Sequence, residues 1–377
     1  MQGSLKLSLL MGPVPVPAPS AVIEALTSAK IELGTGTTQS GFELVFEVPL
    51  RSPLRKLFLA TGGGAAGNIP FMRIVLIATF NGRAEPVIDG VSTDIELQPT
   101  DSGNARLIVK GKDLTALMDM EDFPATPFPA MPPSTRVLLL LSRYAAFGVI
   151  PQVIPSVVDE PPLPTEQIPQ QQGTDYQYIK KLAGDAGYVF YMEPGPVPGV
   201  SRAYWGPEIR VGNPQPALTT GMDALNNVEQ LSFNLDREAK KLPIVFLHDA
   251  RSQLSIGLPI PDITPMNPPL GLVPPLPPKI EKLSDTGHLS PGLALMRGLA
   301  YVAQHGDSVF GNGTLDVAKY GRVLKSRQLV GVRGAGTPYD GLYYVKSVSH
   351  NIQRGSYKQS FKLARNGLFS TLPVVPT

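Results

Sequence analysis

The sequence has no cysteine, a single tryptophan, four histidines and few charges. Asp, Glu, Lys and Arg make up 17% of its 377 residues, against about 25% in ordinary soluble domains. Without cysteine there is no disulfide framework, no thiolate nucleophile and no thiolate metal ligand, which fits assembly in a reducing cytoplasm. The formal net charge of +2 supplies no general attraction to nucleic acid or to a membrane surface, so no nucleic-acid specificity is expected. The longest apolar run, Val137–Leu141, is far short of the ~20 residues that span a bilayer. Residues 1–12 hold too short an apolar stretch for a secretory signal and no clear cleavage site. Neither membrane insertion nor signal-directed export is expected. A surface this poor in charge implies that partners, rather than water, cover much of it.

Proline (40) and glycine (37) are abundant, yet together they stay below the ~25–30% of low-complexity chains. They also cluster, which marks turns and linkers between ordered pieces. The length suggests two to three domains at roughly 100–200 residues each.

After a first short strand, Pro13, Pro15, Pro17 and Pro19 read as a stiff polyproline-like lead-in. Phe42, Leu44, Phe46 and Val48 then share one face, with Glu43 and Glu47 opposite, the period-two pattern of a half-buried strand. Arg73–Phe80 is a near-continuous apolar run ending in Asn81-Gly82, a hairpin turn signal. Val91, Thr93, Ile95 and Leu97 alternate with polar residues, and Asp101–Asn104 turns the chain into Ala105–Lys110. The first ~115 residues therefore read as an antiparallel sheet, curled into a barrel or sandwich.

Phe123–Pro133 carries five prolines and reads as a linker, after which Ser134 caps a helix to Phe147, stopped by Gly148. Thr174 and Gln177 form a capping-box pattern ahead of Ile179, Leu182, Ala183 and Ala186 at helical spacing, with Gly187 as the stop and Tyr188–Met192 as a strand. Residues ~125–205 are thus an α/β module inserted in a β-rich chain. Leu231–Leu235 and Ile244–Leu247 read as strands returning to the first sheet, and Leu258–Pro278 as a second proline-rich linker. Ser290-Pro291 opens a helix to about Gln304, and the chain closes with strands at Leu329–Val332, Leu342–Ile352 and Tyr357–Ala364. The division expected is 1–122, a first β domain completed by strands within 203–250; 123–202, the insert; 203–257, returning strands; 258–280, linker; and 281–377, a second β domain.

Catalytic patterns are thin. Gly62–Gly67 spells G-x-G-x-x-G but precedes Asn68-Ile69-Pro70 instead of opening a helix, so it reads as a hairpin loop. His248, His288, His305 and His350 show no metal-ligand spacing, and no cofactor or metal is expected. His350 sits in a polar strand register, which points to a surface or interface position. Gly306-Asp307-Ser308 lacks the strand and flanking glycines of an esterase elbow and reads as a turn or cap. Glu193 and Glu208 are a formal carboxylate pair of the kind a peptidoglycan hydrolase uses, at no diagnostic spacing. Lys319, Arg322, Lys325, Arg327 and Arg333 form a basic stretch that either lines a lumen or meets an acidic partner, or else is a solvated loop face. Tyr339, Tyr343, Tyr344, Tyr357 and Phe361 suit a carbohydrate platform, but cross-strand packing is the commoner use of such residues.

Two segments resemble the hub proteins of phage tails and contractile injection systems, the late-control D / VgrG family. In Thr174–Tyr191 the matching positions are Asp175 at the helix start, Leu182, Gly187 and Phe190. In Tyr339–Leu363 they are Gly341, Tyr343, Val345, His350, Tyr357 and Phe361. Order and spacing agree with the β, inserted α/β, β layout. The resemblance implies a structural protein and not an enzyme, with two tube-like antiparallel β-barrel domains per subunit. A homotrimer would form a pseudo-sixfold ring joining the sixfold inner tube to the threefold central spike. Its implied partners are the inner tube protein, a separately encoded spike and other baseplate proteins, within a tail or injection-particle baseplate assembled in the bacterial cytoplasm.

Overall fold

The computed structural model describes residues 5–34, 39–49, 71–100, 103–123, 125–156, 158–161, 164–165, 168–222, 225–248, 255–260, 267–275, 279–283, 286 and 290–372. Strands dominate. The N-terminal third holds β1 (Leu5–Gly12), β2 (Val16–Pro17), β3 (Leu26–Leu33), β4 (Gly41–Pro49), β5 (Arg73–Phe80), β6 (Arg83–Pro99) and β7 (Asn104–Asp113), with short helices α1 (Ser20–Ala25) and α2 (Thr115–Met118). Next come α3 (Pro133–Ser142), β8 (Val149–Val153), α4 (Asp175–Ala186), β9 (Val189–Pro194) and β10 (Ser201–Gly206). Short strands follow: β11 (Gln215–Thr219), β12 (Gln230–Leu235), β13 (Lys241–His248), β14 (Ser255–Pro259), β15 (Gly271–Val273) and β16 (Lys279–Leu283). The C-terminal part has α5 (Pro291–Gln304), β17 (Val309–Asp316), α6 (Val317–Tyr320), β18 (Leu329–Arg333), β19 (Gly341–Gln353), β20 (Ser356–Arg365) and β21 (Leu368–Ser370).

Among the described residues one sheet of thirteen strands joins both ends of the chain. Its centre is a strip of eight, β12-β17-β20-β19-β3-β4-β7-β6, antiparallel at every junction. The strip is one four-strand block used twice. In β12-β17-β20-β19 and in β3-β4-β7-β6 alike, the strands lie first, second, fourth, third in chain order, and alternation over four positions gives both blocks the same directions. The third strand of each block, β19 or β6, carries a bulge against the fourth, between Val345 and Ser347 or between Ser92 and Asp94. The first half of that strand pairs on its other side with the strand just before it in sequence, β18 or β5. The blocks meet where the second half of β19 pairs with β3, from Val348↔Leu33 to Gln353↔Ser28.

The alternating sequence explains the layering. Phe42, Leu44, Phe46 and Val48 are all buried, as are Leu107 and Val109 on β7 and Val348, Ile352, Phe361 and Leu363 on β19 and β20. These residues of both blocks belong to one hydrophobic core, each large side chain contributing about 1.5–3 kcal/mol by leaving water. β5 is buried almost throughout, as its unbroken apolar run requires. The β5–β6 hairpin turns at Asn81 and Gly82, both at positive φ (50° and 78°), the geometry of a two-residue I′ loop.

The inserted module has its own core around Phe128, Ile179, Phe190 and Trp205. Its sheet runs β8-β10-β9, with β10 parallel to β8 and antiparallel to β9. Thr174 caps α4 by accepting from the Gln177 N–H at 3.2 Å, but the reciprocal half of the box is replaced: the Gln177 amide donates to Asp119 at 3.4 Å. A third small sheet, β14-β13-β16, covers α5 through Val245, Ile260, Ala294 and Val302. Ser290 caps α5, accepting from the Leu293 N–H at 3.4 Å.

Several expectations need correction. The Pro13–Pro19 segment is not an extended lead-in; it turns and folds β2 back onto β1, pairing Leu10 with Pro17. Phe123–Pro133 is not a free linker, because Phe128 is buried and the Phe128 N–H donates to Pro169 O at 2.8 Å while Ala125 and Gln171 are similarly strapped. Helix α3 starts one residue before Ser134 and ends at Ser142, with a separate turn of 3₁₀ helix at Ala145–Phe147 before Gly148. Strands within 203–250 do not complete the N-terminal set: β11 pairs with β18, β12 with β17, and β13 with β14 and β16. Within the second proline-rich stretch, β15 pairs with β21. The glycine run 62–67 lies outside the described residues. The expectations above hold no strand at β3, β10 or β17: β10 is short, Gly311 and Gly313 interrupt β17, and only the second half of β3, from Ala29 to Leu33, alternates.

Gly187 shows what holds α5 in place. It ends α4 at φ +69°, and a Cβ there would stand 2.4 Å from Ala300 Cα on α5. The substitution Gly187→Ala is expected to lower the thermal midpoint by several degrees, equivalent to about 1–3 kcal/mol, whereas Gly355→Ala, at a similar φ in open space, costs about 1 kcal/mol. Calorimetry of the two variants checks the difference.

Candidate assembly surface and its buried charge supports

The eight-strand strip has one face in the core and one toward solvent. On the solvent face the β3-β4-β7-β6 block is charged: Lys30 pairs with Glu32 at 2.8 Å and Lys110 with Glu96 at 3.5 Å, while Gln98 donates to Glu96 at 2.7 Å. The β12-β17-β20-β19 block instead presents hydroxyls and amides, among them Ser232, Asn312, Ser349 and Ser360, along a shallow trough, with Lys358 and Lys362 exposed beside them. This is a long polar surface, free of large apolar side chains on β12 and β20, on otherwise regular strands.

Three buried charge clusters fix what surrounds the strip. Arg73 donates to both oxygens of Asp89 at 2.7 Å, and to the carbonyls of Phe147 and Gly199 at 2.8 Å. Ser201 Oγ donates to the same Asp89 at 2.9 Å, so one guanidinium, bonded through all three of its nitrogens, ties β5 and β6 to the inserted module. Inside that module Asp175 is wholly buried and accepts from Arg143 at 3.0 Å, Tyr144 Oη at 2.9 Å and Gln171 at 2.6 Å. Burial, with Asp175 alongside, pushes the Tyr144 phenol well up.

The third cluster was not legible in sequence. Arg210 donates to Asp307 at 2.8 Å and to Glu208 at 2.8 Å, and Lys346, from the β19 bulge, reaches Glu208 at 3.0 Å and Asp307 at 3.2 Å. Two cations meet two anions, with the Arg210 guanidinium 5.0 Å over the Tyr344 ring. Burial alone would raise both carboxyls, but Lys346 and Arg210 outweigh it and hold Asp307 and Glu208 below the usual carboxylate range. Asp307 thus belongs to a structural lock rather than to a turn, and Glu208 is held ionised. Glu193 is paired with Arg202. A glycosidase acid needs a raised pKa, so Glu208 is tuned in the opposite direction.

The matching positions of the two motifs fall in cores and supports. Leu182 and Phe190 are buried in the inserted module, and Tyr343, Val345, Tyr357 and Phe361 in the main core. Gly341, at φ +131°, leaves room for Ser370 and the Arg365 guanidinium; Arg365 is itself buried, donating to Pro338 O at 2.8 Å and Asp340 O at 3.0 Å with its guanidinium 4.4 Å over Tyr343. Tyr343, Tyr344 and Tyr357 are therefore core residues, and Tyr339 is half-buried with Phe233 stacked on it at 5.2 Å. His350 is a correction: it is 2% exposed, because it shares the inward parity of Val348 and Ile352. Its Nδ1 lies 2.8 Å from Tyr357 Oη, and burial pushes its pKa down to about 3.

The basic stretch divides. Lys319 and Arg322 are exposed, Lys325 pairs with Glu85 at 3.2 Å, Arg333 is half-buried, and Arg327 stacks 3.9 Å over Tyr191 while donating to Gly34 O. None of these lies on the polar face of the eight strands. Among the described residues no group of His, Asp or Glu could hold a metal ion; His305 is stacked on Tyr301, and His288 lies outside those residues. No helix among them is long and apolar enough to cross a membrane.

No family model and no curated protein sequence matches the chain. Solved structures do match it. The tail protein from Neisseria meningitidis MC58 superposes with a TM-score of 0.62 at 14% identity, covering 97% of this chain and 98% of that one. The 43 kDa tail protein of prophage MuSo2 from Shewanella oneidensis gives 0.57 at 15% identity, covering 98% and 100%. A chain of the Francisella PdpA–VgrG complex gives 0.59 at 8% identity, covering 99% of this chain and 60% of that one. At these identities what is shared is the fold: the chain has the fold of phage tail proteins and of VgrG-type proteins.

Two outcomes test the buried groups. His350 is neutral in the fold and charges when released, so the unfolded chain binds the extra proton. Its contribution is complete above the unfolded value of about 6.5 and is lost as pH falls from there toward 3, at up to about 1.4 kcal/mol per pH unit. Denaturation curves across that window should be flatter for His350→Gln than for the parent. Asp307→Asn leaves Arg210 buried with half its compensation and is expected to cost about 3–5 kcal/mol at neutral pH, read by urea unfolding.

Proposed function

We propose that the protein is the structural hub of a phage tail or phage-like contractile injection system, a homotrimer that joins a sixfold inner tube to a threefold spike. The observation that carries this reading is the duplicated four-strand block. A single chain offers a ring two equivalent positions, so three chains offer six, and a pseudo-sixfold surface can stack on a true sixfold tube while the chains keep threefold symmetry for the spike. Each block is then one tube-like domain of a composite barrel.

The shared fold with tail and VgrG-type proteins supports this, as does the low charge of the surface. In the ring the polar face of the strip becomes the lumen wall. Exposed Lys319 and Arg322 lie off that wall and are available to an acidic surface on the tube or on another baseplate protein.

Light scattering of the purified chain should give three chain masses, and mixing it with the cognate tube and spike proteins should give a ternary complex on a sizing column. A monomer at all concentrations that binds neither protein would rule the reading out.

A further inference from the structure

The repeated block carries a template for how one copy meets the next. Among the described residues, β6 beyond Ser92 has no partner on the side away from β7, and β12 has none on the side away from β17. The last bond on that side of β6 runs from Ser92 N–H to Met72 O at 2.9 Å. These two open edges end the eight-strand strip, and they run in opposite directions. Each has an internal equivalent that is already paired: β6 corresponds to β19 and β12 to β3, and β19 pairs with β3.

The correspondence can be carried residue by residue from the bulges. Asp94 follows its bulge opposite Lys110 as Ser347 follows its own opposite Lys362. Stepping across the blocks through Glu43 or Asn312 brings Lys30 into register with Ser232. Transferring the β19–β3 pairs then gives one register. Val348↔Leu33 becomes Ile95↔Leu235, Ser349↔Glu32 becomes Glu96↔Asn234, His350↔Ile31 becomes Leu97↔Phe233, and Asn351↔Lys30 becomes Gln98↔Ser232.

We infer that the outer half of β6 in one copy pairs antiparallel with β12 of a second copy in this register. The inference rests on the ring reading above and supplies its contact. The chemistry of the two edges agrees with it. Ile95, Leu97, Phe233 and Leu235 are all only half-buried where they pack on the main core, and the register sets them against each other on that face. The polar pairs meet on the other face, where the Asn234 amide can donate to the Glu96 carboxylate. A slip of one residue would turn every apolar side chain to the wrong face. Pairing also removes the two edges, which otherwise invite uncontrolled association.

The absence of cysteine makes the test direct. Chains carrying Glu96→Cys and Asn234→Cys together, treated with a short bis-maleimide, should give a ladder of linked chains on a denaturing gel. Gln98→Cys with Ser232→Cys should do the same and guards against one variant misfolding; circular dichroism checks both. Glu96→Cys with Gln230→Cys, four residues or about 13 Å out of register, should link poorly. A trimer in solution that links through neither register pair, or better through the 96/230 pair, overturns the pairing while leaving the ring intact. A chain that stays monomeric overturns both.

Discussion

The ladder between β3 and β19 is the contact on which the rest of the architecture depends. It joins residues near the two ends of the chain, Ser28–Leu33 and Val348–Gln353, and makes one strip from two blocks that would otherwise each end in an open edge. Because its backbone groups pair with each other, the side chains on one face are free to form a single core that draws on both blocks. The polar groups on the opposite face form one uninterrupted surface for the same reason. Closing so long a loop is entropically unfavourable, and the gain comes from merging two partial cores.

The sparse charges are used structurally. Arg73 with Asp89, Asp175, and Arg210 with Asp307 and Glu208 are withdrawn from water and matched in sign, with Arg143 and Lys346 reaching in from the surface to complete their clusters. Buried ion pairs add little net stability over apolar packing, but breaking one partner is expensive. They therefore act as locks on geometry: the first holds the inserted module to the sheet, and the last holds the segment around Glu208 against the start of β17 and the β19 bulge. With these charges inside, the outer surface is poorer in charge than the composition implies.

How much could be read in advance depended on how local the signal was. The β5–β6 hairpin, helix α4 with its Thr174 cap and Gly187 stop, and the β19–β20 hairpin are written in short-range pattern, and they stand in the structure where the pattern puts them. His350 went astray because its polar neighbours Ser349 and Asn351 suggested a wet strand; the neighbours at two residues' distance, Val348 and Ile352, decided the face. Gly306-Asp307-Ser308 could only be read as a turn, since nothing nearby announces that Arg210 and Lys346 converge on it. The basic stretch reads as one surface in sequence, yet Arg327 is taken inward by Tyr191 while Lys325 stays exposed and pairs with Glu85.

By itself the sequence determined that strands dominate, the inserted α/β module, the inward aromatic alternation of the closing hairpin and the absence of thiol chemistry, because each follows from residue type and spacing within a few positions. Only the tertiary structure decided that the two β regions share one sheet, that they repeat the same block, and which edges stay open. Those are matters of strand order and register between distant segments. A strand's own residues specify its faces, but not its neighbour.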